Sequence, residues 1–126
     1  MKLIAILSVL LLMGCVAKFS QTNYDRMVDV AVTSRDQDSV CTNKNTMMAA
    51  FDSMHKNTVY ALEDAEGRQD KNIVTMLTNQ LDEIDRFKIM LSKGTVGIFF
   101  CKQKTRNIYD TARLIITEEG RKLSLL

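Results

Sequence analysis

The chain has no proline and no tryptophan, only five glycines in 126 residues, and 6% aromatic side chains. Proline is the strongest helix breaker and glycine the next, so their scarcity, together with eight methionines, favours helix over sheet. One histidine and the lack of any C-x-x-C pair leave transition-metal and dithiol redox chemistry without a ligand set. The formal net charge of +2 is too small to imply bulk attraction to nucleic acid. No repeat and no low-complexity segment is present, and 126 residues are enough for one domain. No apolar run approaches the ~20 residues that a permanent membrane helix needs.

The amino-terminal stretch MKLIAILSVLLLMGC is a different kind of apolar segment. Lys2 supplies a basic start, Leu3 to Met13 a short and mostly apolar middle, and Gly14 and Cys15 a small-residue end. That is the layout of an export signal. Leu12-Met13-Gly14-Cys15 resembles the lipobox of bacterial lipoproteins, with Leu12, Gly14 and Cys15 matching and Met13 standing where Ala, Ser or Thr is usual. The resemblance implies a signal peptide over residues 1–14, diacylation of Cys15, cleavage before it and acylation of its freed amine. It also implies outer-membrane sorting, because Val16 rather than Asp follows the cysteine. Three acyl chains hold a protein stably where one is marginal. Two other outcomes stay open: ordinary signal-peptidase cleavage after Ala17, which would release a soluble periplasmic protein, and an uncleaved anchor.

Three cysteines are present. Cys15 is consumed by lipid or removed with the leader, which leaves Cys41 and Cys101 in a compartment that permits disulfides. Two buried free thiols are the alternative.

Periodicity organises the rest. Residues 15–40 read as a lipidated cysteine and tether, with a short helical possibility capped by Asn23 and a loop from Ser34 to Ser39. A first long helix is capped by Thr42 or Asn43, carries Met47, Met48, Phe51, Met54, His55, Thr58, Val59, Leu62 and Ala65, and stops at Gly67. A second starts at Asp70, carries Ile73, Leu77, Leu81, Ile84 and Leu91 along one side with Val74 and Phe87 beside them, and ends at Gly94. In the last segment, Thr95 to Phe100 could be a strand. However, Ile98, Cys101, Thr105, Ile108, Ala112, Ile115 and Glu119 recur at three- and four-residue steps, which favours one helix ending at Gly120 with a tail over 121–126. The expected fold is all-α: a small antiparallel three-helix bundle over residues 41–120, with room for a short fourth helix on its amino-terminal side and one disulfide. Helices running up, down and up place Cys41 and Cys101 at the same end, so the pairing of these two is geometrically natural.

Catalytic constellations are not expected. Asp52, Ser53 and His55 are close in sequence but point in different directions on a helix. Ser92-Lys93-Gly94-Thr95 lacks the frame of a phosphate loop, and Asp82, Glu83 and Asp85 read as a solvated face rather than an acid–base pair. Two surfaces could bind a partner. Lys102, Arg106, Tyr109 and Arg113 form a basic stripe around one aromatic that suits anionic lipid or an acidic protein face. Glu63, Asp64 and Glu66 crowd a helix carboxyl end, where the macrodipole disfavours them. The sequence therefore leads to the expectation of a non-enzymatic envelope lipoprotein that binds another envelope component in an exclusion, lysis or secretion-assembly role. It would have no cofactor, no metal, no nucleic-acid partner and no small-molecule substrate. A soluble periplasmic inhibitor or chaperone is the alternative.

Overall fold

The computed structural model describes residues 18–124. The signal segment, Cys15 and the alternative cleavage point after Ala17 lie outside the described residues. Among the described residues there are five helices and no strand: α1 (Gln21–Arg35), α2 (Gln37–Val40), α3 (Lys44–Gly67), α4 (Lys71–Lys93) and α5 (Ile98–Leu123). The described residues are all-α, and Cys41 and Cys101 are joined by a disulfide with Cα atoms 5.8 Å apart.

The four long helices run up, down, up and down, with α2 a single turn at the disulfide end. Their buried stripes share one spacing. In α3 the buried residues are Met47, Phe51, Met54, Thr58, Ala61 and Ala65; in α4, Ile73, Leu77, Gln80, Ile84, Phe87 and Leu91. In α5 they are Cys101, Thr105, Ile108, Ala112, Ile115 and Glu119. Alternating steps of four and three average 3.5 residues, the period that keeps a seam facing its neighbours in an antiparallel bundle. Phe51 stacks on Phe87 with ring centroids 3.9 Å apart, and Phe100 continues the stack at 6.2 Å, tying α3, α4 and α5 together.

Expectation and structure differ at three places. The first is the segment read as a tether, which is helical from Gln21 and packs against both α3 and α5, so α1 is a full fourth member of the bundle. Its buried stripe is Asn23, Met27, Val30 and Ser34, at steps of four, three and four. Half of that stripe is polar, which hides the period from a hydropathy reading. Ser34 is tolerated inside because its hydroxyl donates to the Val30 carbonyl at 2.7 Å. Ser20, not Asn23, caps α1 by accepting from the Asn23 N–H at 3.1 Å. The expected loop over Ser34–Ser39 is instead the end of α1 followed by α2, which Asp36 caps.

The second difference is the end of α3. Gly67 remains helical, and the left-handed residue is Gln69, with φ 57°. The Gln69 N–H donates to the Glu66 carbonyl and the Asp70 N–H to the Ala65 carbonyl, both at 3.0 Å, the paired bonds of a Schellman motif. The third is the tail. Gly120 adopts no positive φ and α5 runs on to Leu123, because Lys122 is drawn back toward buried carboxylates.

The remaining boundaries follow the capping chemistry. Asn43 and Thr46 form a reciprocal capping box at α3, with bonds of 3.0 and 3.1 Å. Asp70 caps α4 through the Ile73 N–H. The segment Thr95–Phe100 forms no strand; α5 begins at Ile98, with Gly97 in the cap position and no side-chain cap.

Candidate functional site

The two ends of the bundle have opposite chemistry. At the end away from the disulfide, the start of α1, the close of α3, the start of α4 and the close of α5 meet in a buried ionic knot. Glu119 is fully buried there, 0% exposed, and Asp70 and Ser20 are nearly so. The Glu119 carboxylate accepts from the Ser20 N–H at 3.0 Å and from Lys122 Nζ at 3.1 Å, and Arg68 Nη2 stands 3.5 Å away. Lys122 also pairs with Asp70. Arg68 Nε donates to Asp64 at 2.9 Å, and the Ser20 hydroxyl donates to the same carboxylate oxygen at 2.7 Å. With the Asn23 amide nitrogen facing the Ala61 carbonyl, its oxygen accepts from Arg68 at 2.8 Å. Three carboxylates therefore share two cations and a set of neutral donors. Buried charges persist only when paired and hydrogen-bonded in this way.

The knot reassigns one of the two surfaces expected from the sequence. Of Glu63, Asp64 and Glu66, only Glu63 and Glu66 face solvent, while Asp64 is turned inward to Ser20 and Arg68. A surface of three free carboxylates does not form, because the guanidinium four residues on and the α1 cap claim one of them. Glu119 sat in plain view as the last member of the α5 stripe, yet a carboxylate on an apolar stripe carries no sign of its partners. Ser20, far in sequence from Arg68, Asp70 and Glu119, gave no signal at all.

The basic stripe is also divided. Lys102 Nζ pairs with Asp38 of α2 at 2.7 Å, while Arg113 lies over the Tyr109 ring at 5.7 Å. Arg106 is exposed and has no ion-pair partner among the described residues. Asp52, Ser53 and His55 do not converge: Asp52 reaches Lys88 at 2.9 Å, and His55 Nε2 meets Asp85 at 3.1 Å, both across on α4. Asp82 pairs with Arg86 and Glu83 with Lys104. A shallow cavity of about 330 Å³ lies between α4 and α5, the neighbouring long helices in least contact, with Phe87, Met90 and Phe100 on its apolar side. Among the described residues, no group of three or more His, Cys, Asp or Glu side chains is arranged to hold a metal ion, and no helix is long and apolar enough to cross a membrane.

At the disulfide end the junction of α4 and α5 is apolar and cationic, beside the exposed carboxylates of Asp36 and Asp38 at α2. Phe99 is 84% exposed and Ile98 55%, at the start of α5, and Ile89 and Met90 stand exposed near the end of α4. No family model, curated protein or solved structure matches the chain.

Proposed function

We propose that this protein is an envelope lipoprotein, anchored through acylated Cys15, whose helical domain acts as a non-enzymatic binding or accessory component in an exclusion, lysis or secretion-assembly role. The reading rests on the lipobox-like Leu12-Met13-Gly14-Cys15 and on the fate of the other cysteines. The Cys41–Cys101 disulfide accounts for both other cysteines, which leaves Cys15 as the odd one, at the end of the lipobox-like stretch. A bridge between residues 60 apart in sequence also suits an oxidising compartment.

The knot gives the reading a geometry. The Lys18 carbonyl accepts from Arg68 at 2.9 Å, and Ser20 is locked to Asp64 and Glu119. The short run from Cys15 to Ser20 spans at most ~17 Å when fully extended. A bilayer-held Cys15 would keep the knot end close to the membrane surface, and the 26 residues of α5 would carry the disulfide end about 39 Å further along the helix axis. Outer-membrane attachment is the sorting that Val16 supports.

Incorporation of radiolabelled palmitate, compared between the parent chain and Cys15→Ala, tests the anchor. Label on the parent and none on the variant is the expected result. An exported but unlabelled parent would overturn the lipoprotein reading in favour of a soluble periplasmic protein cleaved after Ala17.

A further inference from the structure

The tip at the disulfide end is unlike the rest of the surface. From Arg86 to Tyr109 the chain holds six cations, Arg86, Lys88, Lys93, Lys102, Lys104 and Arg106, and no carboxylate. Carboxylates from outside the stretch neutralise four of the six: Asp82, Asp52, Asp38 and Glu83 pair with Arg86, Lys88, Lys102 and Lys104. Lys93, the last residue of α4, and Arg106 have no such partner among the described residues. Within this stretch stand Ile89, Met90, Ile98 and Phe99, four of the large apolar side chains that the described residues expose.

We propose that this tip inserts into an anionic phospholipid surface, with Ile98 and Phe99 entering the headgroup boundary and Lys93 meeting lipid phosphates. The shape favours lipid over a protein partner. Phe99 stands in the first turn of α5, almost wholly in water. Hot-spot aromatics at protein interfaces fill well-packed pockets, and a partner would need a deep socket lined with carboxylates to cover this one. A bilayer interface accepts a protruding apolar side chain flanked by cations without any preformed socket. The first turn of α5 adds uncapped backbone N–H groups beside the same side chains. This inference does not require Cys15 to be acylated: the tip and Lys18 lie at opposite ends of the bundle, so a bundle held through Cys15 would bring its tip to the same bilayer only by lying along the surface, and the two contacts can be scored separately.

The chain has no tryptophan, so Phe99→Trp places a single indole reporter at the apex. Tyr60→Trp, on the exposed side of α3, serves as the control. The full chain of each variant is mixed with vesicles of phosphatidylcholine alone or with added phosphatidylglycerol, and co-flotation records whether the protein is bound by any means. On the anionic vesicles the Phe99→Trp chain should show blue-shifted emission and quenching by brominated lipid, while the Tyr60→Trp chain stays unshifted. Adding Lys93→Gln to the Phe99→Trp chain lowers the apparent affinity read from that shift about fivefold, since a basic residue near an anionic surface contributes ~1 kcal/mol. Unshifted emission from the apex reporter on vesicles that carry the protein overturns the proposal and leaves an acidic protein surface as the tip's partner. Equal shifts in the apex and control variants also overturn it, as they would report contact without preference for the tip.

Discussion

Removing a cation from the ionic knot should destabilise the bundle more than removing an anion. The knot holds Asp64, Asp70 and Glu119 against Arg68 and Lys122, a formal balance of one negative charge. In Glu119→Gln the remaining carboxylates equal the cations, and the one amide oxygen can still accept the Ser20 N–H, but the amide nitrogen then faces Lys122 and Arg68, which keep only Asp70 and Asp64 as partners. The loss is then about 1.5–3 kcal/mol, the scale of a hydrogen bond to a charged group. In Lys122→Met the buried Glu119 and Asp70 both lose a partner, and three carboxylates face Arg68 alone. Breaking a buried pair so that charge is left uncompensated costs about 3–5 kcal/mol. A domain of this size is stable by only about 5–15 kcal/mol, so the second variant loses a large share of the whole. Urea unfolding followed by far-ultraviolet circular dichroism reads both. With a slope of about 1–3 kcal/mol/M, Lys122→Met lowers the midpoint by more than ~1 M and Glu119→Gln by clearly less. The difference should persist at high salt, because buried pairs are poorly screened. Equal midpoints, or a larger loss for Glu119→Gln, would show that the knot's charge balance does not govern its stability.

Gln69→Gly relieves a left-handed backbone at φ 57° and should stabilise the chain by up to ~1 kcal/mol, seen as a raised melting temperature; a lowered one would refute the strain. Replacing both cysteines by serine removes a cross-link between residues 60 apart and should cost about 4 kcal/mol by the chain-entropy account, whereas the parent should show no reactive thiol at Cys41 or Cys101 before reduction. The buried Gln80 amide donates to the Thr58 hydroxyl at 3.0 Å while its oxygen finds no partner among the described residues. The double change Gln80→Leu with Thr58→Val should therefore be neutral or stabilising, and a loss above ~2 kcal/mol would mean that the pair does more than fill space. The Ser39 backbone N–H and hydroxyl hold the Asp36 carboxyl below its ordinary value. The contribution of this α2 cap is thus complete above the usual carboxylate range and lost as pH falls through the lowered pKa, which the Ser39 amide shift in an NMR titration would follow.

Much of the bundle was legible because the decisive signals were local. The α3 and α4 stripes are mostly apolar, and Asn43 and Asp70 announce their starts with cap chemistry that needs only neighbouring residues. The Cys41–Cys101 pairing could be argued from cysteine count and helix direction together. The α1 helix was hidden for the opposite reason: two of its four buried positions are Asn23 and Ser34, polar side chains satisfied by α3 and by the helix's own carbonyls. Gly67 and Gly120 were natural stopping points: α3 does end at Gly67, although its left-handed residue is Gln69, whereas α5 continues through Gly120 to Leu123, where Lys122 is drawn to buried carboxylates.

By itself the sequence determined the helical class, most helix boundaries and the stripes that face inward, since each depends on residues within a few turns of one another. Tertiary structure alone decided that α1 joins the core, that Asp64 turns inward while Glu63 and Glu66 stay in water, and that Glu119, Lys122, Arg68 and Ser20 meet. It also decided which apolar side chains, Phe99 foremost, find no neighbour to cover them. Those outcomes depend on charges and surfaces brought together from distant parts of the chain, where the low dielectric of the interior makes pairing obligatory and side chains at the end of a helix pair find no third element to cover them.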